Sequence, residues 1–237
     1  QDSSSYMRDH GKKGGLASLI KKIDALEGDF YARVLYLYPS TVDSELIETI
    51  ASSKRFLNYF DMPIQHISDK MLKLMKRGAS KQKTIELLEQ MRSIPDSFVR
   101  TSVIVGHPCE GDKEFAEMLE FLEGFDFDAI SVFEYSDEEG TAAYEMGEKV
   151  DKKTISKRLT AIKKVIAKKA AKKAKESIGS SFEGVLEGVS DEHEYLLTAK
   201  KKIWAPEIDG EILINESEIE NPPFGALYKM TATDAAK

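Results

Sequence analysis

The expected fold class is α/β: a parallel sheet with helical crossovers, followed by a small all-β barrel. Over roughly the first 150 residues, short β-branched or aromatic runs alternate with stretches of helical periodicity, the pattern of parallel strands joined through helices. From about Gly179 onward, short apolar runs are separated by turn residues, as in a small antiparallel barrel. Between these regions, residues 151–178 set apolar side chains on one helical face and lysines on the others. The expected organisation is therefore residues 1–150, a linker helix over 151–178, and a β domain over 179–237. At 237 residues with 41% hydrophobic content, the chain suffices for one α/β domain with a small appendage.

Residues Gln1 to Gly15 are polar and glycine-rich, which predicts a loop. Leu16, Leu19, Ile20, Ile23 and Leu26 then give helical spacing, and Arg33 to Pro39 is a short apolar run stopped by proline, hence a strand. A helix is expected from Ser44 to Ala51, with Leu46, Ile47 and Ile50 facing inward. The run Tyr59 to Ser68 begins as a strand and surfaces at polar Gln65 and His66; Ser68 and Asp69 then open a helix that Gly78 follows. Further helices are expected over 81–93 and 112–123, and strands over Phe98–Val105 and Ala129–Tyr135. Ile155, Leu159, Ile162, Ile166 and Ala170 mark one face of a long helix, with Arg158 and ten lysines on the others. In the last region Val185-Leu186, Tyr195 to Leu197, Ile212 to Ile214 and Leu227 to Met230 are the candidate strands.

No run of about 18 apolar residues occurs and no signal-peptide pattern opens the chain, so a cytosolic protein without a membrane span is expected. The single cysteine, Cys109, excludes an intramolecular disulfide framework and a complete cysteine-ligated iron–sulfur site. A lone thiol with no basic neighbour in view is expected to be inert. From Gly179 onward twelve acidic residues oppose five lysines, a balance that repels an RNA backbone and favours a basic partner. The lysine-rich helix offers phosphate attraction, although such faces are commonly just solvated.

A strand ending in polar residues beside a helix start is where parallel α/β folds place their chemistry, which selects Gln65 and its neighbours. An amide both donates to and accepts from sugar hydroxyls, and the guanidinium of Arg77, twelve residues on, forms a two-point fork to a carboxylate. Taken alone, the pair reads more readily as a loop-satisfying amide and a surface arginine. His66 is a strand-end cap or a substrate-facing group; Tyr38, at another strand end, is a candidate lining residue. His10 and His193 lie in polar stretches and carry no signal.

The words DMPIQHIS, MKRG, RTSVIVGHPCEG and SVFEYSDEEGTAAY, in that order, resemble the radical-SAM methylthiotransferase family, and MPIQHIS resembles its RimO type more than its tRNA-modifying members. The resemblance implies the later units of a partial (β/α)6 barrel followed by a TRAM domain. It implies S-adenosylmethionine (SAM) held by Gln65, Arg77, Ser102, Ile104, Phe133 and Tyr135, with Gln1, Tyr38 and His66 lining the site. His107 and Cys109 depart from the family's usual wording in the loop after the fifth barrel strand. Two [4Fe-4S] clusters are implied whose cysteines this chain lacks; since Gln1-Asp2 resembles the end of the family's second barrel strand, the chain is expected to be a C-terminal fragment, inactive alone. The implied activity is methylthiolation of an aspartate β-carbon in the basic ribosomal protein uS12, with an unspecified electron donor and nucleic acid not the main partner. The alternatives are a tRNA methylthiotransferase and a noncatalytic RNA-binding module.

Overall fold

The computed structural model describes residues 2–191, 193 and 195–235, which fall into two compact units, Gln1–Lys169 and Ala170–Lys237. In the first unit two 3-10 turns, Ser3–Ser5 and Arg8–His10, lead into α1 (Gly15–Asp24). There follow β1 (Ala32–Val34), α2 (Ser44–Ala51), β2 (Phe56–Asp61), α3 (Asp69–Leu74), α4 (Lys81–Ser93), β3 (Phe98–Val105), α5 (Asp112–Gly124) and β4 (Ala129–Glu134). The strands pair in parallel in the order β1-β2-β3-β4, so each strand neighbours the next in sequence and helices carry every return. That is a partial (β/α) barrel.

Strand alternation decides which face becomes core. On β3, Val99, Thr101, Val103 and Val105 are buried while Phe98, Arg100, Ser102 and Ile104 are only half-buried. The buried side meets the helices: Thr84, Leu87, Leu88 and Met91 of α4 recur at the spacing of one helical face and are all buried, as are Ile47 and Ile50 of α2 and Met118 and Leu122 of α5. Local side chains set the helix starts, Asp43 Oδ1 accepting from Leu46 N–H at 3.0 Å and Ser80 Oγ from Lys83 N–H at 3.2 Å.

Three elements differ from expectation. The strand expected over residues 33–39 stops at Val34. Asp61 captures the chain beyond it: its side chain accepts from Tyr36 N–H at 3.0 Å and its carbonyl from Leu37 N–H at 2.8 Å, while Tyr36 takes φ 60°. The ladder of β2 ends at Asp61 and does not run through to Gln65. Helix α6 (Lys152–Ser177) forms as expected, but Arg158, assigned from sequence to its solvated face, is buried with Ile155, Ile162 and Val165.

The second unit takes the last turns of α6 and four antiparallel strands, β5 (Ser181–Val189), β6 (Leu197–Lys201), β7 (Ile212–Ile214) and β8 (Leu227–Thr231), ordered β7-β6-β5-β8. A register shift between Leu186 and Gly188 bends β5, and Leu186 and Ala199 are buried. Among the described residues, no helix is long and apolar enough to cross a membrane.

Candidate functional site

After Asp61 the chain leaves the β2 ladder and returns to it at Gln65. The steps from Asp61 to Gln65 number four, those from Arg100 to Val103 on β3 three, so one residue is extruded and the backbone at Gln65 is forced to φ 65°. The extruded segment is held at both ends: Thr101 Oγ1 donates to Met62 O at 2.9 Å, Gln65 N–H donates to Ser102 O and Ile104 N–H to Gln65 O, both at 2.9 Å. What this construction presents is the Gln65 carboxamide. Its Oε1 is buried and has no hydrogen-bond partner among the described residues, an arrangement that costs free energy unless a ligand or water completes it.

The neighbours of Gln65 supply an apolar wall. Ser102 is in register with Ser131, and Ile104 with Phe133, so these four share the half-open face of β3 and β4. Phe133 is 56% exposed. Tyr135 continues the row, its N–H donating to Val105 O at 2.9 Å. Its hydroxyl donates to Asp137 Oδ1 at 3.1 Å, and Lys149 pairs with the same carboxylate at 2.6 Å. Lower on that face Arg100 donates to Ser131 Oγ at 2.9 Å and lies 3.7 Å from Asp61.

Arg77 follows α3 and reaches back toward the extruded segment. Its Nη2 donates to Pro63 O at 2.5 Å and its guanidinium lies over the Tyr38 ring, 4.1 Å from the centroid. Nε is buried and has no partner among the described residues. Burial lowers the guanidinium from its usual value, opposed by Tyr38 and Asp2. His66 points away from solvent: it is fully buried, and Nδ1 accepts from Ile67 N–H at 2.9 Å and Ser68 N–H at 3.0 Å. Two donors on Nδ1 put the proton on Nε2. Burial holds the imidazole well below its usual range, at about 4, against the pull of Glu117 and Glu114.

The loop after β3 is held by hydrogen bonds among its own residues and Arg158 of α6. Gly106 N–H donates to Glu110 Oε2 at 2.6 Å, and Arg158 binds Glu110 Oε1 at 3.1 Å, Glu110 O at 2.9 Å and Asp112 at 2.8 Å. A Cβ on Gly106 would lie 2.6 Å from Ile155 Cγ1, so glycine is what lets α6 press on this loop. Burial pushes the Glu110 carboxyl up by more than Gly106 and Arg158 pull it down. His107 is buried and meets Tyr135 edge-on, ring centroids 5.1 Å apart. Cys109 Sγ donates to Gly147 O at 3.8 Å.

Ser102, Ile104 and Phe133 share one face toward the carboxyl ends of β3 and β4, with Tyr135 following; Gln65 joins that stretch through its backbone, by the bonds to Ser102 O and Ile104 N–H, and Arg77, against the Tyr38 ring, reaches the Gln65 segment at Pro63 O. His66 is buried, and Gln1 lies outside the described residues. Sequence reasoning missed Asp61, Glu110 and Lys149, and misplaced Arg158. For Arg158 a signal existed: it is the one arginine among ten lysines of α6.

This parallel partial barrel is similar to the fold of a solved radical-SAM enzyme. The family model described as Radical SAM superfamily matches residues 8–122. Coproporphyrinogen III oxidase (HemN) from Escherichia coli, a radical-SAM enzyme, is similar in structure with TM-score 0.57 and 16% identity, over 75% of this chain and 44% of that one.

More particularly, the chain is similar to curated ribosomal protein uS12 methylthiotransferases, RimO. It is 54% identical to that of a Nitratiruptor species over 97% of this chain and 53% of the relative. It is 51% identical to that of Wolinella succinogenes over 100% and 54%. The chain spans about half the length of the curated relatives it matches. These matches correct one expectation: the radical-SAM region lies at residues 8–122, toward the N-terminal end of this chain with the β domain after it, so the reading as a C-terminal fragment does not stand. Motif words report order along a chain and not position within a longer protein.

The site residues fit SAM. An unpartnered buried acceptor at Gln65 suits a ribose hydroxyl, and Ile104 with Phe133 suits an adenine face. They do not fit an iron–sulfur cluster: the chain has one cysteine, and the described residues contain no group of three or more His, Cys, Asp or Glu able to hold a metal.

Proposed function

We propose that this chain serves a cytoplasmic radical-SAM methylthiotransferase that modifies the β-carbon of an aspartate in ribosomal protein uS12. The observation that carries the reading is identity above 50% along nearly the entire chain to proteins of that activity. SAM, when bound, supplies the radical and methyl chemistry, which no side chain supplies. The chain's own residues bind and orient. Gln65 Oε1 accepts from a ribose hydroxyl, Ser102, Ile104, Phe133 and Tyr135 line the base, and Arg77 Nε is the unpartnered donor for the carboxylate. Tyr38, stacked on Arg77, keeps that guanidinium in plane. The resemblance also implies two [4Fe-4S] clusters; since the residues described here do not fit one, no step is assigned through them.

The β domain suits the client. Its acidic excess attracts a basic ribosomal protein and repels an RNA backbone, which disfavours the tRNA-directed and RNA-binding alternatives. Mass spectrometry of uS12 from cells lacking the gene tests the proposal. The methylthio mass increment on one aspartate should vanish, return with the wild-type gene, and stay absent with Gln65→Ala. Unchanged uS12 together with altered tRNA nucleosides would move the activity to tRNA.

A further inference from the structure

The turn between Gln65 and α3 contains a cap of uncommon kind. Ser68 occupies the N-cap position of α3 but its side chain makes no capping hydrogen bond. Ile67 and Ser68 are nevertheless buried, and buried amide donors must find acceptors. The acceptor is the His66 ring, whose Nδ1 takes both N–H groups at 2.9 and 3.0 Å. The residue directly before it, Gln65, sits at φ 65°, a conformation that a side-chain-bearing residue keeps only where its surroundings over-determine it. On the strand side the bonds to Ser102 and Ile104 do this; on the helix side the two bonds to His66 do. The ring has no exposed surface, so it does not touch a ligand itself.

We infer that His66 is the positioning residue for the Gln65 carboxamide: its ring fixes the turn that keeps Gln65 left-handed, and so aims Oε1 at a nucleoside hydroxyl. The inference deepens the proposed function and rests on its reading of Gln65 as the nucleoside contact. It explains why the acceptor for these amides is an imidazole two residues before the N-cap and not the Ser68 side chain. The acceptor must serve two adjacent amides from the residue preceding them, and Nδ1 of a ring packed beneath the turn does so. The further donor, Nε2–H, is buried with no partner among the described residues, a cost tolerated for the sake of the acceptor.

A double-mutant cycle on SAM affinity, measured by calorimetry on the protein, tests the coupling. His66→Phe keeps the ring shape and removes the acceptor; SAM should bind about tenfold more weakly. His66→Asn keeps an acceptor near the Nδ1 position and should stay within about threefold of wild type. In a Gln65→Ala background, His66→Phe should cause no further loss, because there is no amide left to aim. A group of merely structural importance would instead lose affinity equally in both backgrounds, and that result overturns the inference, as does wild-type affinity for His66→Phe. Should Gln65→Ala itself leave SAM affinity unchanged, the reading of Gln65 fails and the inference fails with it. Hydrogen exchange on the unsubstituted protein checks the cap directly, whatever the folding of His66→Phe. The Ile67 and Ser68 amides should be protected like that of Leu72, and exchange at the free rate overturns the proposal.

Discussion

Two strand-to-helix connections lie side by side at the carboxyl end of the first unit's sheet, and they are finished in opposite ways. The connection from β3 to α5 closes on itself: Gly106, Glu110, Arg158 and Asp112 satisfy one another, and Ile155 fills the space at Gly106. The connection from β2 to α3 leaves Gln65 Oε1 and His66 Nε2 buried with no partner among the described residues, and Arg77 Nε, just past α3, is in the same state. Both contain a residue at positive φ where the strand ends, Gly106 at 87° and Gln65 at 65°. At Gly106 the residue type removes the strain, whereas Gln65 keeps it, as does Cys109 at φ 66° in the closed connection; what separates the two is their hydrogen bonding. Self-satisfaction marks a structural joint, and unfinished hydrogen bonding marks the place where a ligand completes the protein.

The sharpest way to break this contrast is at the closed joint. Arg158→Met preserves most of the packing on α6 but leaves the Glu110 carboxylate, 3% exposed, with backbone donors only. Removing one partner of a buried pair costs about 3–5 kcal/mol. Urea unfolding should show that loss, and a change below about 1 kcal/mol would mean that the joint is not held by the pair.

A somewhat smaller effect is expected from acid at the open joint. His66 has a folded-state pKa of about 4 against 6.5 for the free side chain, so the unfolded chain binds the extra proton between those values. Stability from this group is therefore complete above pH 6.5 and is lost as the pH falls toward 4, by about 3 kcal/mol across that window. Protonation would place an N–H where Nδ1 now accepts two amides. Glu117 and Glu114 favour the charged ring while His107 and Arg158 oppose it, so the measurement is a difference: unfolding free energy against pH for wild type and His66→Asn. The Asn variant should be flatter in that window; parallel curves would remove the neutral-cap account.

The contrast also explains what could be read from the chain in advance. Strand β3 was legible to its ends because Val99, Thr101, Val103 and Val105 alternate with half-buried residues, a signal carried by local sequence. Helix α2, with Asp43 capping Leu46, was legible for the same reason. Gln65, Ser102, Ile104, Phe133 and Tyr135 were reached by resemblance, while the register that sets Ile104 beside Phe133 and Gln65 against Val103 comes from pairing between distant segments. The early end of β1 was not legible, because Asp61, 25 residues after Tyr36, causes it. Nor was the burial of Arg158, since its partner lies 48 residues away and periodicity sees only the helix. For His66 a strand-end cap was one of two readings; that its ring serves the two amides ahead of α3 was not legible, because imidazole is not among the usual N-cap side chains.

The smallest expected change in stability is the most informative about Gln65. Gln65→Gly relieves a left-handed conformation, worth about 1 kcal/mol or slightly more, and removes a buried acceptor that has no partner. Against this stands the extra backbone freedom of glycine in the unfolded chain, about 0.5–1 kcal/mol. The two nearly cancel, so the melting midpoint should stay level or rise slightly, whereas SAM affinity should fall. A side chain whose removal leaves the fold intact and weakens the ligand is kept for the ligand; a clear loss of stability in Gln65→Gly would instead assign Gln65 to the scaffold and erase the difference between the two joints.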